Sequence, residues 1–167
     1  MIYLKLKYFV ISYVVVALLG VLFHFAYDIL DFPFLKVIFP TNESIFEHTK
    51  LIVFPALLFT VFDILYSNEE KALQINIFAL LVALIFLIMA YYTYSGIIGK
   101  NIDFINIALF FISFIIYFYI RYKKITPFDK TNSVIILIII ILLIEIFTFK
   151  PLDIPFFEVI SHLPRFH

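Results

Sequence analysis

The residues of this chain best suited to chemistry are concentrated in one short string, Pro-Thr-Asn-Glu-Ser-Ile-Phe-Glu-His at positions 40–48. Glu43 and Glu47 are four residues apart, which is about one turn of an α-helix, and His48 follows directly. Two carboxylates and an imidazole at the start of one helix can accept, donate or relay protons. Glu43, Glu47 and His48 are therefore the candidate acid–base or relay residues.

A second group of polar residues lies on the preceding apolar segment, where His24 and Asp28 are also one helical turn apart. His24 continues a stripe of small and polar residues that includes Gly20, and small residues allow a second helix to approach closely. Because charges are costly in hydrocarbon, this face is expected to point toward other helices. Imidazole and carboxylate ligands together suit zinc, iron or manganese. The sequence thus predicts a divalent metal site with four candidate ligands, His24, Asp28, Glu47 and His48.

Helix capping gives a structural explanation for part of the string. Ser44-x-x-Glu47 before an apolar run fits a capping box, in which the hydroxyl accepts a bond from a free N–H and the glutamate reaches back. Asn42 is an alternative N-cap residue. Capping does not explain why Lys50 enters an apolar segment with these residues. Lys50 and Glu145, which lies near the end of the last apolar segment, are available as neighbours of the polar site.

The composition indicates what kind of protein must position these residues. Of the 167 residues, 65% are hydrophobic and only 14% are charged, whereas soluble domains are about 45–50% apolar and about 25% charged. A soluble fold of this length could not bury so much apolar surface. Twelve basic residues balance twelve acidic ones, so nucleic-acid binding is not expected, and the absence of cysteine excludes thiolate chemistry. An integral membrane protein, with the lipid bilayer as its partner, remains.

Five apolar stretches are long enough to cross a membrane as helices, because about 20 residues span about 30 Å of hydrocarbon. Membrane strands are excluded because they are about 10 residues long and alternate in polarity. We therefore predict one all-α domain over residues 1–167, a polytopic transmembrane helix bundle. A proline-bracketed interfacial segment separates the first two spans, and residues 151–167 form an interfacial tail. The predicted spans are residues 8–27, 44–66, 75–94, 104–122 and 133–149.

The distribution of lysine and arginine predicts the orientation in the cell membrane. The strongest signal is the cluster of Arg121, Lys123 and Lys124 in a short connection, which is typical of a cytoplasmic loop. Five spans then place the N-terminus in the cytoplasm and the C-terminus outside. Asp63 is expected near the cytoplasmic face with its side chain extended to the interface. The predicted polar site lies at the extracytoplasmic end.

Residues 20–55 contain two linked patterns, Gly20-x-x-x-His24-x-x-Tyr27-Asp28 and then Pro40-x-Asn42-Glu43-Ser44-x-x-Glu47-His48-x-Lys50-Leu51 with Phe54-Pro55. In these patterns the chain resembles a family of small bacterial polytopic membrane proteins described as a domain of unknown function. The resemblance covers most of the chain, with Phe46 where that family usually has tryptophan. It implies no activity. It implies a signature made of Asn42, Glu43, Ser44, Glu47 and His48, preceded by His24 and an acidic residue at Asp28.

Three classes of function are compatible with these residues. A membrane enzyme would use the histidines and carboxylates as ligands of a divalent metal ion or as proton carriers. A proton- or ion-coupled transporter or channel would use them as a relay, and with five spans and no internal repeat it would require a homo-oligomer. A non-catalytic accessory protein would use them to hold the helices in register. The first class is slightly favoured, and the sequence does not indicate a substrate.

Overall fold

Five α-helices and one short 3-10 helix form the part of the chain that the computed structural model describes, residues 2–30 and 32–158, without the side chains of residues 2–5 and Asp28. Each α-helix contains a segment long and apolar enough to cross a membrane, so the predicted five-span, all-helical architecture is confirmed. The α-helices are α1 Ile2–Leu30, α2 Ile45–Tyr66, α3 Ala72–Ile98, α4 Asp103–Lys123 and α5 Lys130–Phe149, and the 3-10 helix is Pro33–Val37.

Most of the helices continue beyond the predicted apolar stretches, because local capping rather than hydropathy determines where they end. α3 ends at Ile98 and is capped by Gly99, whose φ of 74° is a left-handed conformation that glycine adopts without strain. α5 begins after Asp129, whose carboxylate accepts a hydrogen bond of 2.7 Å from the backbone N–H of Asn132. These polar turns lie outside the segments that hydropathy can identify.

The core is formed by α1 to α4, with α5 packed at the edge against α3 and the 3-10 helix. In the most apolar stretch of each helix, 56% of the residues of α2 and 50% of those of α3 are buried, but only 11% of those of α5. α2 and α3, which a short connection joins, pack against each other. Ile52 of α2, Ala83 of α3 and Phe114 of α4 are fully buried in one hydrophobic cluster.

α1 packs tightly on α2 at Gly20. A Cβ atom at this position would lie 2.8 Å from the carbonyl oxygen of Leu51 and 2.7 Å from the ring of Phe110. Pro55 has no N–H to donate to that carbonyl, so the oxygen is exposed to the approach of a small residue. The stripe that contains Gly20 thus faces α2 and brings His24, one turn further along α1, toward the start of α2.

The chain after α5 returns to the start of α2. The carbonyl of Phe156 accepts a hydrogen bond of 3.0 Å from the N–H of Phe46, which has no partner within its own helix. The ring of Phe46 also contacts the rings of Phe156 and Phe157. The rest of the predicted interfacial tail, 159–167, lies outside the described residues.

Candidate metal centre

The first turn of α2 is fixed by hydrogen bonds from the preceding loop. Ser44 is the N-cap residue, and its hydroxyl accepts a bond of 3.2 Å from the N–H of Glu47. Asn42 is not the cap. Its side-chain oxygen instead accepts a bond of 2.9 Å from the N–H of Ser44 and so closes the turn before the helix. The glutamate of the capping box reaches back past Ser44 to Thr41, whose N–H donates to Glu47 Oε2 at 2.7 Å.

Three side chains from α1, the loop and α2 meet at this end of the bundle, and we call them the His–Glu cluster: His24, Glu43 and His48. One carboxylate oxygen of Glu43 lies 3.8 Å from His24 Nε2, and the other lies 3.3 Å from His48 Nε2. The two imidazole rings are stacked with their centroids 5.8 Å apart. A single carboxylate therefore faces two imidazole nitrogens.

The backbone of α2 fixes which nitrogen of His48 faces Glu43. His48 Nδ1 lies 2.9 Å from the carbonyl oxygen of Ser44. Because a carbonyl can only accept, Nδ1 must carry the proton and donate it. This leaves Nε2, directed at Glu43, as the nitrogen able to bind a metal ion or a second proton. Histidine ligands of metals are commonly oriented by a hydrogen bond of this kind from the other ring nitrogen.

The spacing and exposure of the His–Glu cluster suit a metal ion that retains an open position. One ligand atom from each of the three residues lies within 4.8 Å of the other two. Ligands about 2.1 Å from a tetrahedral zinc ion are about 3.4 Å apart. His24 and His48 lie 3.8 and 3.3 Å from different oxygens of Glu43, so small side-chain rotations would be needed to close the three atoms around an ion. The three side chains are 27–30% exposed, so the cluster is accessible from outside the bundle.

Glu47 was a candidate ligand in the sequence, but the structure does not bring its carboxylate into the cluster. Consecutive residues of a helix point about 100° apart, so Glu47 and His48 face different sides of α2. The carboxylate of Glu47 is 4% exposed and accepts hydrogen bonds of 2.8 and 2.9 Å from the ammonium group of Lys50. Glu43 supplies the carboxylate of the cluster instead, because it precedes the helix and is positioned by the loop.

Three other residues were predicted near the site, and the structure describes the side chains of two of them. Glu145 is exposed on α5 and is not part of the His–Glu cluster. The side chain of Asp28 lies outside the described residues. Lys50 is fully buried beside Glu47 and also donates to the backbone carbonyl of Lys36 at 2.6 Å. Its ammonium group thus joins α2 to the 3-10 helix.

A second polar group, missed by the sequence analysis, lies at the opposite end of the bundle. Asp63 does not extend to an interface. Its carboxylate is fully buried and accepts two bonds from the guanidinium of Arg121, at 2.5 and 2.8 Å. Asn76 and Tyr8 donate to the same carboxylate at 2.7 and 3.2 Å, and Tyr117 in turn donates to Asn76 at 2.9 Å. The signal in the sequence was the presence of Asp63, Asn76 and Arg121 inside apolar segments whose ends meet at one face.

The three basic residues at the end of α4 consequently differ in burial. Arg121 is buried by its partners, whereas Lys123 and Lys124 are exposed. Lys124 forms an ion pair with Glu69 in the connection between α2 and α3. Hydrogen bonding to the Lys124 ammonium holds the pKa of Glu69 below its usual value. The two lysines thus lie on the surface at this end of the bundle, while Arg121 belongs to the core.

Residues 2–161 match DUF6512, a family of unknown function. The chain belongs to this family. Comparison with curated proteins and with solved structures gives no match. The match to the family extends over all five helices and both polar groups, and confirms the resemblance to a family of unknown function noted in the sequence. Since membership of this family assigns no activity, any argument for function depends on the chemistry of the His–Glu cluster.

Proposed function

We propose that this chain is a multi-pass membrane enzyme that depends on a divalent cation bound by His24, Glu43 and His48. The observation that carries the proposal is that ligand atoms of these three residues lie within 4.8 Å of one another. Metal sites with three protein ligands leave a position for water or substrate, which is typical of catalytic rather than structural zinc sites. A divalent cation supplies a Lewis acid and a bound water of lowered pKa, and hydrolysis is the reaction class that this chemistry serves.

Electrostatics support a cation at the cluster. The carboxylate of Glu43 faces two imidazole nitrogens and is only 27% exposed, so water screens its charge incompletely. A positive charge between these groups, carried by a proton or a metal ion, would be attracted to this carboxylate. The hydrogen bond from His48 to Ser44 already orients one imidazole for a metal ion and reduces the reorganisation that binding requires.

We also propose an orientation for the site. The exposed Lys123 and Lys124 favour a cytoplasmic location for their end of the bundle. Because α2 crosses between the two polar groups, the His–Glu cluster would then lie at the extracytoplasmic face. A substrate would reach it from the outer aqueous phase or from the outer leaflet of the lipid bilayer.

Metal titration of the purified protein tests the proposal. Wild-type protein in detergent should bind one Zn²⁺ or Co²⁺ per chain in calorimetry. His48→Gln and Glu43→Gln should each weaken binding by more than about 100-fold, since loss of an outer-shell partner alone costs about 10–100-fold. Glu145→Gln is the matched control, because it removes an exposed carboxylate outside the cluster and should leave the affinity unchanged.

Three results would contradict the proposal. Absence of stoichiometric metal binding by the wild type would show that the chain has no such metal site. Equal affinity of the wild type and His48→Gln would place the metal elsewhere. Accumulation of the bound cation inside proteoliposomes would assign transport instead of catalysis.

A further inference from the structure

We infer that Glu47 is a positioning residue of the metal site, and that its buried carboxylate, held by Lys50, fixes the loop that carries Glu43. This inference depends on the proposed metal site and explains how a ligand outside any helix is held in place. Glu43 precedes the N-cap residue Ser44 and the first residue of α2, Ile45, so it lies in the loop. Its side chain must nevertheless face histidines on two different helices.

The loop is attached to α2 on both sides of Glu43. On the C-terminal side, the hydroxyl of Ser44 accepts the N–H of Glu47. On the N-terminal side, the N–H of Thr41 donates to Glu47 Oε2 at 2.7 Å, and the Thr41 hydroxyl lies 3.3 Å from the same oxygen. The carboxylate of Glu47 therefore holds the chain two residues before Glu43, and the cap holds it one residue after.

Lys50 makes this attachment stable inside the protein. A buried carboxylate without a partner would be costly. The ammonium group of Lys50 donates to both carboxylate oxygens of Glu47 and removes this cost. The same ammonium donates to the carbonyl of Lys36 and lies 5.4 Å from the centre of the Phe46 ring. Lys50 is fully buried, so its three donors are directed at these partners rather than at water. The pair thus connects the 3-10 helix and Thr41 to the first turns of α2.

The position of Glu47 also argues against direct catalysis by this residue. Its carboxylate is 4% exposed and its oxygens are occupied by Thr41 and Lys50. The carboxylate of Glu43, by contrast, is 27% exposed. Glu47 therefore acts on the metal through Glu43, as an outer-shell residue does.

Two charge-neutral double variants isolate the attachment to Thr41. Glu47→Leu with Lys50→Met removes the buried pair and leaves the Thr41 N–H without its acceptor. Glu47→Gln with Lys50→Met also removes both charges but keeps an oxygen that can accept from Thr41. Replacement of a buried ion pair by neutral groups is commonly tolerated, so both variants should retain the thermal midpoint of the wild type to within a few degrees.

The readout is affinity for Zn²⁺ alone, measured by competition with a chelator. The leucine variant should bind Zn²⁺ about 10–100-fold more weakly than the wild type, and the glutamine variant should recover at least about tenfold of this loss. Wild-type affinity in both variants, or equal weakening of both, would overturn the positioning role while the metal site stands. Absence of Zn²⁺ binding by the wild type would instead overturn the proposed function itself.

Hydrogen exchange on the metal-free wild type gives a second test that does not require either variant to fold. The Thr41 amide should exchange slowly, because it donates to a buried carboxylate. Exchange at the rate of a free amide would show that the attachment does not exist and would overturn the inference.

Discussion

At the residue scale, the two polar groups differ in how their charges are balanced. Asp63 is fully buried and receives hydrogen bonds from Arg121, Asn76 and Tyr8, so its carboxylate is fully partnered. Glu43 is partly exposed and faces imidazoles, whose charge depends on a bound proton or metal ion. The first arrangement is enclosed in the fold, whereas the second is accessible from outside the bundle, as the proposed metal site requires.

Replacement of Asp63 by asparagine should therefore be strongly destabilising. The amide preserves the shape of the carboxylate but leaves the guanidinium of Arg121 buried without a counter-charge, which costs about 3–5 kcal/mol. Unfolding of the purified variant in detergent, by heat or denaturant, measures this loss. A second change, Arg121→Gln, should recover part of the lost stability because it removes the unpaired charge.

Glu70→Gln serves as the control for this experiment. Glu70 is exposed in the connection between α2 and α3, and its neutralisation should change the unfolding free energy by less than about 0.5 kcal/mol. A wild-type midpoint for Asp63→Asn would show that the pair with Arg121 contributes nothing to the fold.

The sequence identified the polar string but not which side chains within it face the histidines and which face Lys50. Its residue types and spacing indicated that His24, Glu43 and His48 lie near one another. It could not show which carboxylate faces the histidines, because that depends on the exact first residue of α2. With the helix beginning at Ile45, Glu43 belongs to the loop and Glu47 is turned toward Lys50. The partnership of Asp63 with Arg121 joins residues 58 positions apart, which periodicity along one helix cannot detect.

At the scale of the helices, the contact between α1 and α2 determines whether His24 reaches the cluster. Gly20 lies against the Leu51 carbonyl, and that carbonyl is left without its usual donor by Pro55. The glycine on one helix and the proline on the other therefore act on the same contact. Apolar length and periodicity were sufficient to find the helices and this face of α1. They could not predict that α5 packs at the edge, since its residues are apolar on all sides.

Gly20→Ala should weaken this contact. The added methyl group would lie 2.8 Å from a backbone oxygen and 2.7 Å from the Phe110 ring, and the helix would have to move. Gly96→Ala is the matched control, because a Cβ there meets nothing within 4 Å in another apolar helix. Both changes gain the same helix propensity, so their difference in unfolding free energy isolates the overpacking, about 1–3 kcal/mol. Equal stability of the two variants would show that α1 does not pack closely on α2 at Gly20.

At the scale of the whole molecule, the two polar groups occupy opposite ends of the bundle. His48 and Asp63 are 15 positions apart on α2, which corresponds to a rise of about 22 Å. This distance is most of the thickness of a bilayer's hydrocarbon core, about 30 Å. The fully paired network therefore lies near one membrane face, and the accessible His–Glu cluster lies near the other.

The proposed orientation can be measured with reporter fusions. A reporter active only in the cytoplasm should give a signal when it is fused after Lys124 and none when it is fused after His167. The expectation follows from the exposed lysines at the end of α4 and from the single further span, α5, between the two fusion points. The opposite pattern would place the His–Glu cluster in the cytoplasm. Signal from both fusions would show that α5 does not cross the membrane.

The most direct test of the metal centre is X-ray absorption at the zinc edge of the protein loaded with one Zn²⁺ per chain. The structure predicts nitrogen and oxygen ligands at about 2.0–2.1 Å, with the multiple scattering of two imidazole rings. His48→Gln, examined at the same loading, should retain the scattering of at most one ring. A wild-type spectrum without imidazole scattering, or one that His48→Gln leaves unchanged, would contradict a metal centre formed by His24, Glu43 and His48.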